Sequence, residues 1–310
     1  MNSLFNTTYP IFCAAMNKVS DANLASAVWE AGCMPSLSLL NYIIDRQLNY
    51  DIMQIEIDKF KKMSPDGEFV LSVNSSIFTS DKFFKWVEAN NITHIELIPD
   101  VLKLKGTEFE KETADFFTNL QEHSVRYKLK RIKLIFKSLT RFLIFELEKK
   151  YKGLFDAYIL KGPEGAGTVV DRLDNNTLLQ DQKDILKKHP DCVLITTGGI
   201  SNASDVTQYI DAGASYIGIG TLFAVSKECA ISEETKQKIL SKTVERFTDT
   251  NQNAIIFSKG IEEFDNNHTN SLSLGIKSPE HGHVFVGKAI EAITEIKSVK
   301  QIVRELINEI

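Results

Sequence analysis

Two glycine-containing turns are the residues whose types and spacing point most directly to chemistry. Gly198 and Gly199 follow the apolar run 193–197, and Gly220 follows the apolar run 216–219, about 22 residues later. Each turn is followed by a helix-like segment. Glycine lets the backbone approach an anion closely, and the free N–H groups at the start of a helix point towards it. The two turns predict a phosphate site; the alternative is a pair of tight turns without a ligand. The predicted backbone ligands are Thr197, Gly198, Gly199, Gly220 and Thr221.

The end of the first apolar run carries small side chains. Ala14 and Ala15 are followed by Met16. Small residues would let a flat ring system lie close to the backbone, with the methionine against its edge. The alternative is a layer of small residues that serves only barrel packing.

Eight short apolar runs alternate with helix-like segments and would position these residues. They recur about every 23 to 37 residues, which is the length of a strand and its returning helix. A closed parallel (β/α)8 TIM barrel is therefore the predicted fold class, and an open doubly wound sheet is the alternative. In such a barrel the loops after strands seven and eight form the recurring phosphate site. The runs are 11–15, 34–39, 69–73, 95–98, 132–136, 155–160, 193–197 and 216–219.

The connecting segments have helical periodicity. Apolar residues at 24, 27, 28 and 31 predict a first helix, with Ser20 placed to cap it and Asp21 in its first turn. Residues 299–307 carry an apolar stripe that predicts a closing helix. Extra helices are expected near 109–121, within a long segment 102–130, and near 233–247.

Three regions are expected along the chain. Residues 1–221 are predicted to form the barrel and residues 286–310 a C-terminal helix that returns to it. Residues 222–285 are predicted to leave the eighth strand at the catalytic face and to fold back as a lid, or to be a merely structural insertion.

Composition excludes several classes of partner. The 310 residues are 43% hydrophobic and carry a formal net charge of −5, without a long basic run. This gives no electrostatic footprint for nucleic acid. The apolar runs are too short to span a bilayer, so we expect a cytoplasmic protein with no membrane association and no processing segment. The four scattered cysteines are expected to be small core residues.

Several segments carry, in order and spacing, a resemblance to one known family. Residues 10–16 and 24–32 resemble its opening P-I-x-x-A-P-M … L-A-x-A-V-x-x-A-G, with Ala15 in place of the usual proline. Residues 69–74 resemble its third strand, which ends in V-N. Thr197-Gly198-Gly199 resembles the family's S-G-G, and Gly220-Thr221-Leu222-Phe223 resembles its G-T-x-F. Residues 133–140 resemble a strand that carries a lysine in some members, and the tail 284–302 resembles the closing helix. The chain resembles the nitronate monooxygenase (2-nitropropane dioxygenase-like) family of FMN barrels, which is related to flavin-dependent enoyl-acyl-carrier-protein reductases.

The resemblance implies FMN as cofactor and assigns further residues to it. Lys137 matches a lysine that some members place against the flavin, where a fixed cation would stabilise negative charge on the reduced ring. Asn74 is expected to hydrogen-bond the ring edge. Glu164 and Gly165 lie in the glycine-rich sixth loop, and Glu164 is expected to contact ribityl or substrate. The alternatives are a solvated surface lysine at 137 and a solvated loop carboxylate at 164.

One departure from the family pattern concerns proton transfer. The family's sixth-strand motif reads roughly G-x-E-A-G-G-H, whereas this chain has Thr168 at the histidine position. Threonine cannot act as a general base near neutral pH. The replacement candidates are Glu164 on the same loop and His281 or His283, of which His283 is favoured because the chain re-enters the barrel at Val284. The alternative is that both histidines are solvated loop residues.

Three functional hypotheses follow. The first is a nitronate monooxygenase-like FMN enzyme for a small carbon acid or a nitro compound. The second is an FMN reductase that uses NAD(P)H, of the enoyl-reductase kind. The third is a non-flavin barrel for a sugar phosphate, or a non-catalytic FMN-binding relative. A small molecule is the expected partner. The protein assembly that the sequence leaves open is a homodimer.

Overall fold

The computed structural model describes residues 3–39, 43–44, 47–74, 81–98, 132–168, 176–241, 245–248, 252–256, 275–277 and 283–307. The predicted long segment 102–130, its helix near 109–121, and His281 lie outside the described residues.

Eight parallel strands form the centre of the molecule. Each overlaps one of the eight apolar runs, so the alternation in the sequence predicted their positions correctly. The strands are β1 Ile11–Cys13, β2 Ser36–Ser38, β3 Val70–Asn74, β4 His94–Ile98, β5 Lys133–Ser138, β6 Ala157–Lys161, β7 Leu194–Thr197 and β8 Tyr216–Ile219.

The sheet closes on itself. Its strand order is β1-β8-β7-β6-β5-β4-β3-β2, and a parallel bridge between Phe12 and Met34 joins β1 to the segment leading into β2. The Cys13 N–H donates to the Met34 carbonyl at 2.8 Å, and the Met34 N–H donates to the Ile11 carbonyl at 3.0 Å. The predicted (β/α)8 barrel is thereby confirmed over the open-sheet alternative.

Helices surround the barrel. Apolar residues of α9 (Val299, Ile302, Val303 and Leu306) are buried, and α9 packs against α1 and α6, which confirms the predicted closing helix. The helix bounds are α1 Ala22–Glu30, α2 Tyr50–Met63, α3 Asp81–Ala89, α4 Arg141–Lys150, α5 Leu178–Lys188, α6 Ala203–Asp211, α7 Thr221–Ala224, α8 Glu233–Leu240 and α9 Val299–Ile307, with a 3-10 helix at Lys288–Ala292. None of the described helices combines the length and the apolar character that crossing a bilayer requires.

Two local predictions are corrected. Asp21, not Ser20, is the N-cap of α1, because its carboxylate accepts from the Leu24 N–H at 3.0 Å. The Ser20 hydroxyl accepts instead from the Met16 N–H at 2.9 Å. The helix predicted at 233–247 ends at Leu240, and Glu245–Thr248 is a strand.

A small antiparallel sheet forms beside the barrel. It links the loop after β6 to the segment after β8, since Thr168 pairs with Gln252 and Ile256 with His283. Its four strands, called the excursion sheet below, are Gly167–Thr168, Glu245–Thr248, Gln252–Ile256 and His283–Phe285. A separate hairpin pairs Ile43–Ile44 with Gln47–Leu48. Whether residues 222–285 act as a lid stays a prediction.

The cysteines are unpaired. Cys13, Cys33 and Cys229 are buried among apolar side chains, as expected of small core residues. Burial raises the pKa of the Cys33 thiol to about 12 and that of the Cys229 thiol to about 11, so both are protonated at neutral pH.

Strand register decides which side chains enter the barrel. Paired residues on neighbouring strands face the same side, as do alternate residues along one strand. The apolar cluster inside the barrel includes Ile135 and Ile159. Glu96 pairs with Ile135 and Lys137 with Ile159, so both charged residues face inward. Lys161, two residues beyond Ile159, faces inward as well, at the carboxyl end of β6.

Candidate active site

A pocket opens at the carboxyl ends of the barrel strands. It brings together every sequence-predicted cofactor residue except Asn74, from the ends of β1, β5, β6, β7 and β8. This is the face at which barrel enzymes place their active sites. The lining residues are Ala14, Ala15, Met16, Lys137, Lys161, Gly165, Ala166, Thr197, Gly198, Gly199, Ile200, Gly218, Gly220 and Thr221.

The glycine pair after β7 is required by the neighbouring loop. Gly198 has φ +111° and Gly199 has φ +82°, conformations that residues with a side chain rarely adopt. A Cβ on Gly198 would lie 2.9 Å from the Gly162 carbonyl oxygen, and one on Gly199 would lie 2.5 Å from Oε2 of Glu164. The sixth loop therefore packs directly on this turn.

Backbone donors point to an open surface at these turns. No described residue accepts a hydrogen bond from the backbone N–H of Gly198, Gly199 or Gly220. Gly220 has φ −117°, and a Cβ built on it would make only ordinary contacts, 3.7 Å to Sδ of Met16 and 3.8 Å to Cβ of Ala14. The turns thus present donors to the pocket, which is what an anion such as phosphate requires.

The two threonines of the predicted phosphate site use their hydroxyls elsewhere. The Thr197 hydroxyl donates to the Gly218 carbonyl at 2.8 Å. The Thr221 hydroxyl accepts from the Gly287 N–H at 2.9 Å, which fastens the C-terminal segment to β8. The Thr197 hydroxyl proton is therefore in use, whereas the Thr221 hydroxyl accepts a hydrogen bond and still has its own proton to donate.

An ion pair lies inside the barrel beneath the pocket. Nζ of Lys137 is 3.0 Å from Oε1 of Glu96, and the two side chains are 15% and 0% exposed. A buried carboxylate needs such a partner, because an unpaired charge in the interior is costly. The alternative of a solvated surface lysine at position 137 is therefore wrong.

A second lysine reaches the same region. Nζ of Lys161 donates to the carbonyl oxygen of Ala166 in the sixth loop. Burial, and after it the positive charge of Lys137, lower the pKa of Lys161 to about 7 against the opposing effect of Glu96. Lys161 therefore exists as both amine and ammonium near neutral pH, a property that suits proton transfer or covalent chemistry.

Two sequence-predicted residues lie near the pocket without lining it. Asn74 ends β3 and pairs in register with Ile98. Glu164 is about half exposed, with Oε1 2.7 Å from Nζ of Lys288, and its carbonyl accepts from the Lys288 N–H at 2.9 Å. This contact joins the sixth loop to the C-terminal segment. The roles predicted for Asn74 and Glu164 in binding and catalysis stay predictions.

The two remaining catalytic candidates belong to the excursion sheet. Thr168 lies in the strand Gly167–Thr168. His283 is 1% exposed, and its ring lies 5.2 Å from that of Phe285. The alternative of a solvated loop histidine is therefore wrong for position 283. His283 does not line the pocket, and the catalytic roles of both residues stay predictions.

Sequence reasoning missed Glu96 and Lys161. Glu96 interrupts the apolar run 95–98, and Lys161 directly follows the run 155–160. The available signal was the alternation within strands, since a charged residue at an inward position of a buried strand requires a partner nearby.

The shifted lysine predicts a pH-dependent stability. Since the folded-state pKa of Lys161 is depressed to about 7, while the unfolded value is about 10.4, the unfolded chain binds more protons between these values. The cost of burying the cation is complete below about pH 7 and disappears as the pH rises through about 10. Lys161→Met should therefore stabilise the fold more at pH 6 than at pH 9, by up to about 2 kcal/mol after allowance for solvent screening. Urea denaturation measures the change in the free energy of unfolding at both pH values. Equal changes at pH 6 and pH 9 would contradict the depressed pKa of Lys161.

Comparison with solved structures finds the same fold in several enzymes. FabK from Thermotoga maritima is 20% identical, with a TM-score of 0.72 over 98% of this chain and 93% of that chain. The nitroalkane oxidase from Streptomyces ansochromogenes is 17% identical, with a TM-score of 0.71 over 98% and 96%. The enoyl reductase domain of MlnA from the macrolactin biosynthesis cluster of Bacillus amyloliquefaciens is 11% identical, with a TM-score of 0.65 over 98% and 95%. These likenesses concern the fold.

A search of curated proteins finds no match. The family model described as nitronate monooxygenase matches residues 1–309, which is almost the full sequence. This agrees with the resemblance in the sequence motifs and supports an oxidoreductase that uses a flavin. The chain belongs to the nitronate monooxygenase family.

Proposed function

We propose that the chain is an FMN-dependent oxidoreductase that acts on a small carbon acid or on a nitro or nitronate compound. The observation that carries the proposal is the pocket itself, in which glycine N–H groups and a buried cation converge at the carboxyl end of the barrel. Family membership supplies the reaction class.

The phosphate end of FMN fits the turns after β7 and β8. The N–H groups of Gly198, Gly199 and Gly220 have no acceptor among the described residues. A Cβ on Gly220 would make only ordinary contacts with Ala14 and Met16, so this turn is not closed by its neighbours. A phosphate there would be held by backbone donors, and the Thr221 hydroxyl keeps a proton that it can donate as well.

The ring end of FMN fits the part of the pocket between Ala14 and Ala15 after β1 and Lys137 on β5. Ala14 and Ala15 present small side chains to it, and Lys137 brings a cation that Glu96 holds in place. When bound, FMN supplies hydride or one-electron transfer, while the protein supplies orientation and electrostatics. Lys137 is preorganised to stabilise negative charge at the ring edge, because its ion pair with Glu96 restricts its movement.

A second candidate reaction has a specific observation in its favour. Reduction by NAD(P)H, of the enoyl-reductase kind, delivers hydride and does not need a base to deprotonate a carbon acid. Thr168 stands where the family motif has histidine, which favours a reaction of this sort over simple nitronate oxidation. A phosphate-binding barrel without flavin is the outcome to be excluded.

Activity assays distinguish these reactions. We expect the purified chain to retain FMN and to oxidise simple alkyl nitronates weakly, because a missing general base typically costs 10²–10⁴-fold. Thr168→His should raise nitronate turnover, whereas NAD(P)H consumption without nitronate would favour the second reaction. Absorbance in the flavin bands measures the retention of FMN. Turnover of a panel of nitronates and enones distinguishes the two reactions. Fast nitronate oxidation by the unchanged chain would contradict the explanation of Thr168, and absence of bound FMN would contradict the proposal.

A charge substitution at Gly220 tests the phosphate position. Gly220→Asp and Gly220→Asn introduce side chains of nearly equal size at a position where a Cβ makes ordinary contacts. Only the aspartate adds negative charge, and two like charges about 4 Å apart repel by roughly 1–4 kcal/mol at effective dielectrics of 80 to 20. We expect Gly220→Asp to bind FMN at least about tenfold more weakly than Gly220→Asn. Fluorescence titration measures both constants, and equal affinities would place the phosphate elsewhere.

The buried ion pair predicts an effect on the flavin potential. Lys137→Met alone would leave the carboxylate of Glu96 unpaired in the interior, so Glu96→Gln/Lys137→Met is the better variant. Lys137 lines the pocket and Glu96 does not, so the cation is the charge of the pair that is nearer to the ring, and losing the pair should make the reduced flavin less stable and lower its midpoint potential. Lys133→Met on the same strand is the control, because Lys133 is exposed and pairs with Asp156. An unchanged potential in the double variant would show that the ring lies away from Lys137.

A further inference from the structure

Three charged side chains face one another on three consecutive strands inside the barrel. Glu96 on β4 and Lys137 on β5 form the buried ion pair, and Lys161 on β6 lies close enough for both charges to act on it. Two cations and one carboxylate therefore share a confined space. One positive charge is in excess whenever both lysines are protonated.

The two lysines have different partners. Lys137 is bound to a carboxylate at 3.0 Å, whereas Lys161 donates to the neutral carbonyl of Ala166. A carbonyl accepts a hydrogen bond from an amine as well as from an ammonium, so this contact survives deprotonation. Lys161 can therefore change its charge without leaving its place in the pocket wall.

In the part of the chain that the structure describes, the charged groups on the elements around Lys161 come from β4, β5 and the sixth loop. β4 contributes Glu96 and β5 contributes Lys137, while β7 presents the neutral Thr197, which pairs with Lys161 in register. The sixth loop contributes Glu164, which is held by Lys288 at 2.7 Å. Burial and the neighbouring cation oppose a charge on Lys161, and Glu96 is already bound to Lys137. Among the described residues, the surroundings thus oppose a charge on Lys161 until negative charge develops close to it.

We propose that Lys161 is the proton switch of the pocket: it is a neutral amine beside the oxidised flavin and takes up a proton when that flavin is reduced. The inference rests on the proposed function. Hydride brings two electrons and one proton to a neutral ring, which leaves one negative charge on the ring. Lys161 takes a second proton from solvent and becomes the ammonium that balances this charge. Reduction thus takes up two protons for two electrons, and the electrons come from the substrate or a reduced nicotinamide.

This assignment divides the electrostatic work between the two lysines. Lys137 supplies a permanent cation fixed by Glu96, and Lys161 supplies one that appears only when the flavin carries negative charge. The charges of the ring, Glu96 and the two lysines then balance in both redox states, which avoids an uncompensated buried charge beside the ring in either one.

The first test needs no flavin. Protein stripped of flavin and labelled with ¹³C at lysine Cε is titrated by NMR, and the signal lost in Lys161→Arg identifies Lys161. We expect this signal to titrate near pH 7, whereas an ordinary lysine titrates near 10.4. Titration of Lys161 at the ordinary value would overturn the switch, whether or not the chain uses FMN.

The second test counts protons in the FMN-loaded protein. The slope of the midpoint potential against pH gives the number of protons taken up with two electrons. Above about pH 7 the slope of the wild type should be twice that of Lys161→Met and of Lys161→Arg, because neither of these side chains titrates there. The wild-type potential should approach that of Lys161→Arg at low pH and that of Lys161→Met at high pH. A structural role for Lys161 would not produce this crossing.

Lys133→Met is the matched control, since it removes an exposed lysine from β5 and should leave the slope unchanged. Equal slopes in wild type and Lys161→Met, with FMN bound, would overturn the inference and leave the proposed function standing. A chain that retains no FMN would overturn the proposed function together with the coupling to flavin.

Discussion

Glu96 places a carboxylate in the interior of the barrel. Its side chain is fully buried, and a charge in such surroundings is tolerated only when it is paired. Lys137 meets this requirement at 3.0 Å, and removing one partner of such a pair typically costs roughly 3–5 kcal/mol. The pair sets the conditions for the rest of the pocket, because it fixes one cation in the pocket wall and places that cation close to Lys161.

The other half of the pocket depends on close packing of backbone. The sixth loop lies so close to the turn after β7 that neither Gly198 nor Gly199 has room for a Cβ. The same loop is held from outside by the ion pair of Glu164 with Lys288, and Gly287 is fastened to Thr221. The C-terminal segment therefore braces both turns that present N–H groups to the pocket. Glu164, on this account, acts on the shape of the phosphate site through the backbone.

Much of the fold could be predicted from the sequence. The eight strands follow from apolar runs of the right length and spacing, and the glycine turns from their positions at strand ends. The N-cap at Asp21 was misplaced by one residue, because Ser20 and Asp21 are both good capping residues and only the bond to Leu24 decides between them. The strand Glu245–Thr248 lies where the sequence predicts the end of a helix. It forms by pairing with Gln252–Ile256, and the periodicity of the sequence does not show such a pairing.

The pocket could be predicted only in part. Glycines and small residues at strand ends have local signatures, and the family resemblance pointed to Lys137. The meeting of Glu96, Lys137 and Lys161 depends on the register between three strands, which no local pattern contains. A solvated loop histidine is the alternative that the sequence leaves open at position 283, but the strand His283–Phe285 buries this residue. Its burial depends on the pairing with Gln252–Ile256.

The central claim is that the glycine turns and the buried lysines hold the two ends of one FMN molecule. A crystal structure of the chain with FMN tests it most directly. The account predicts the phosphate against the N–H groups of Gly198, Gly199 and Gly220, and the ring edge within reach of Lys137 and Lys161. Phosphate density at another part of the surface, or a ring that leaves both lysines out of contact, would contradict it.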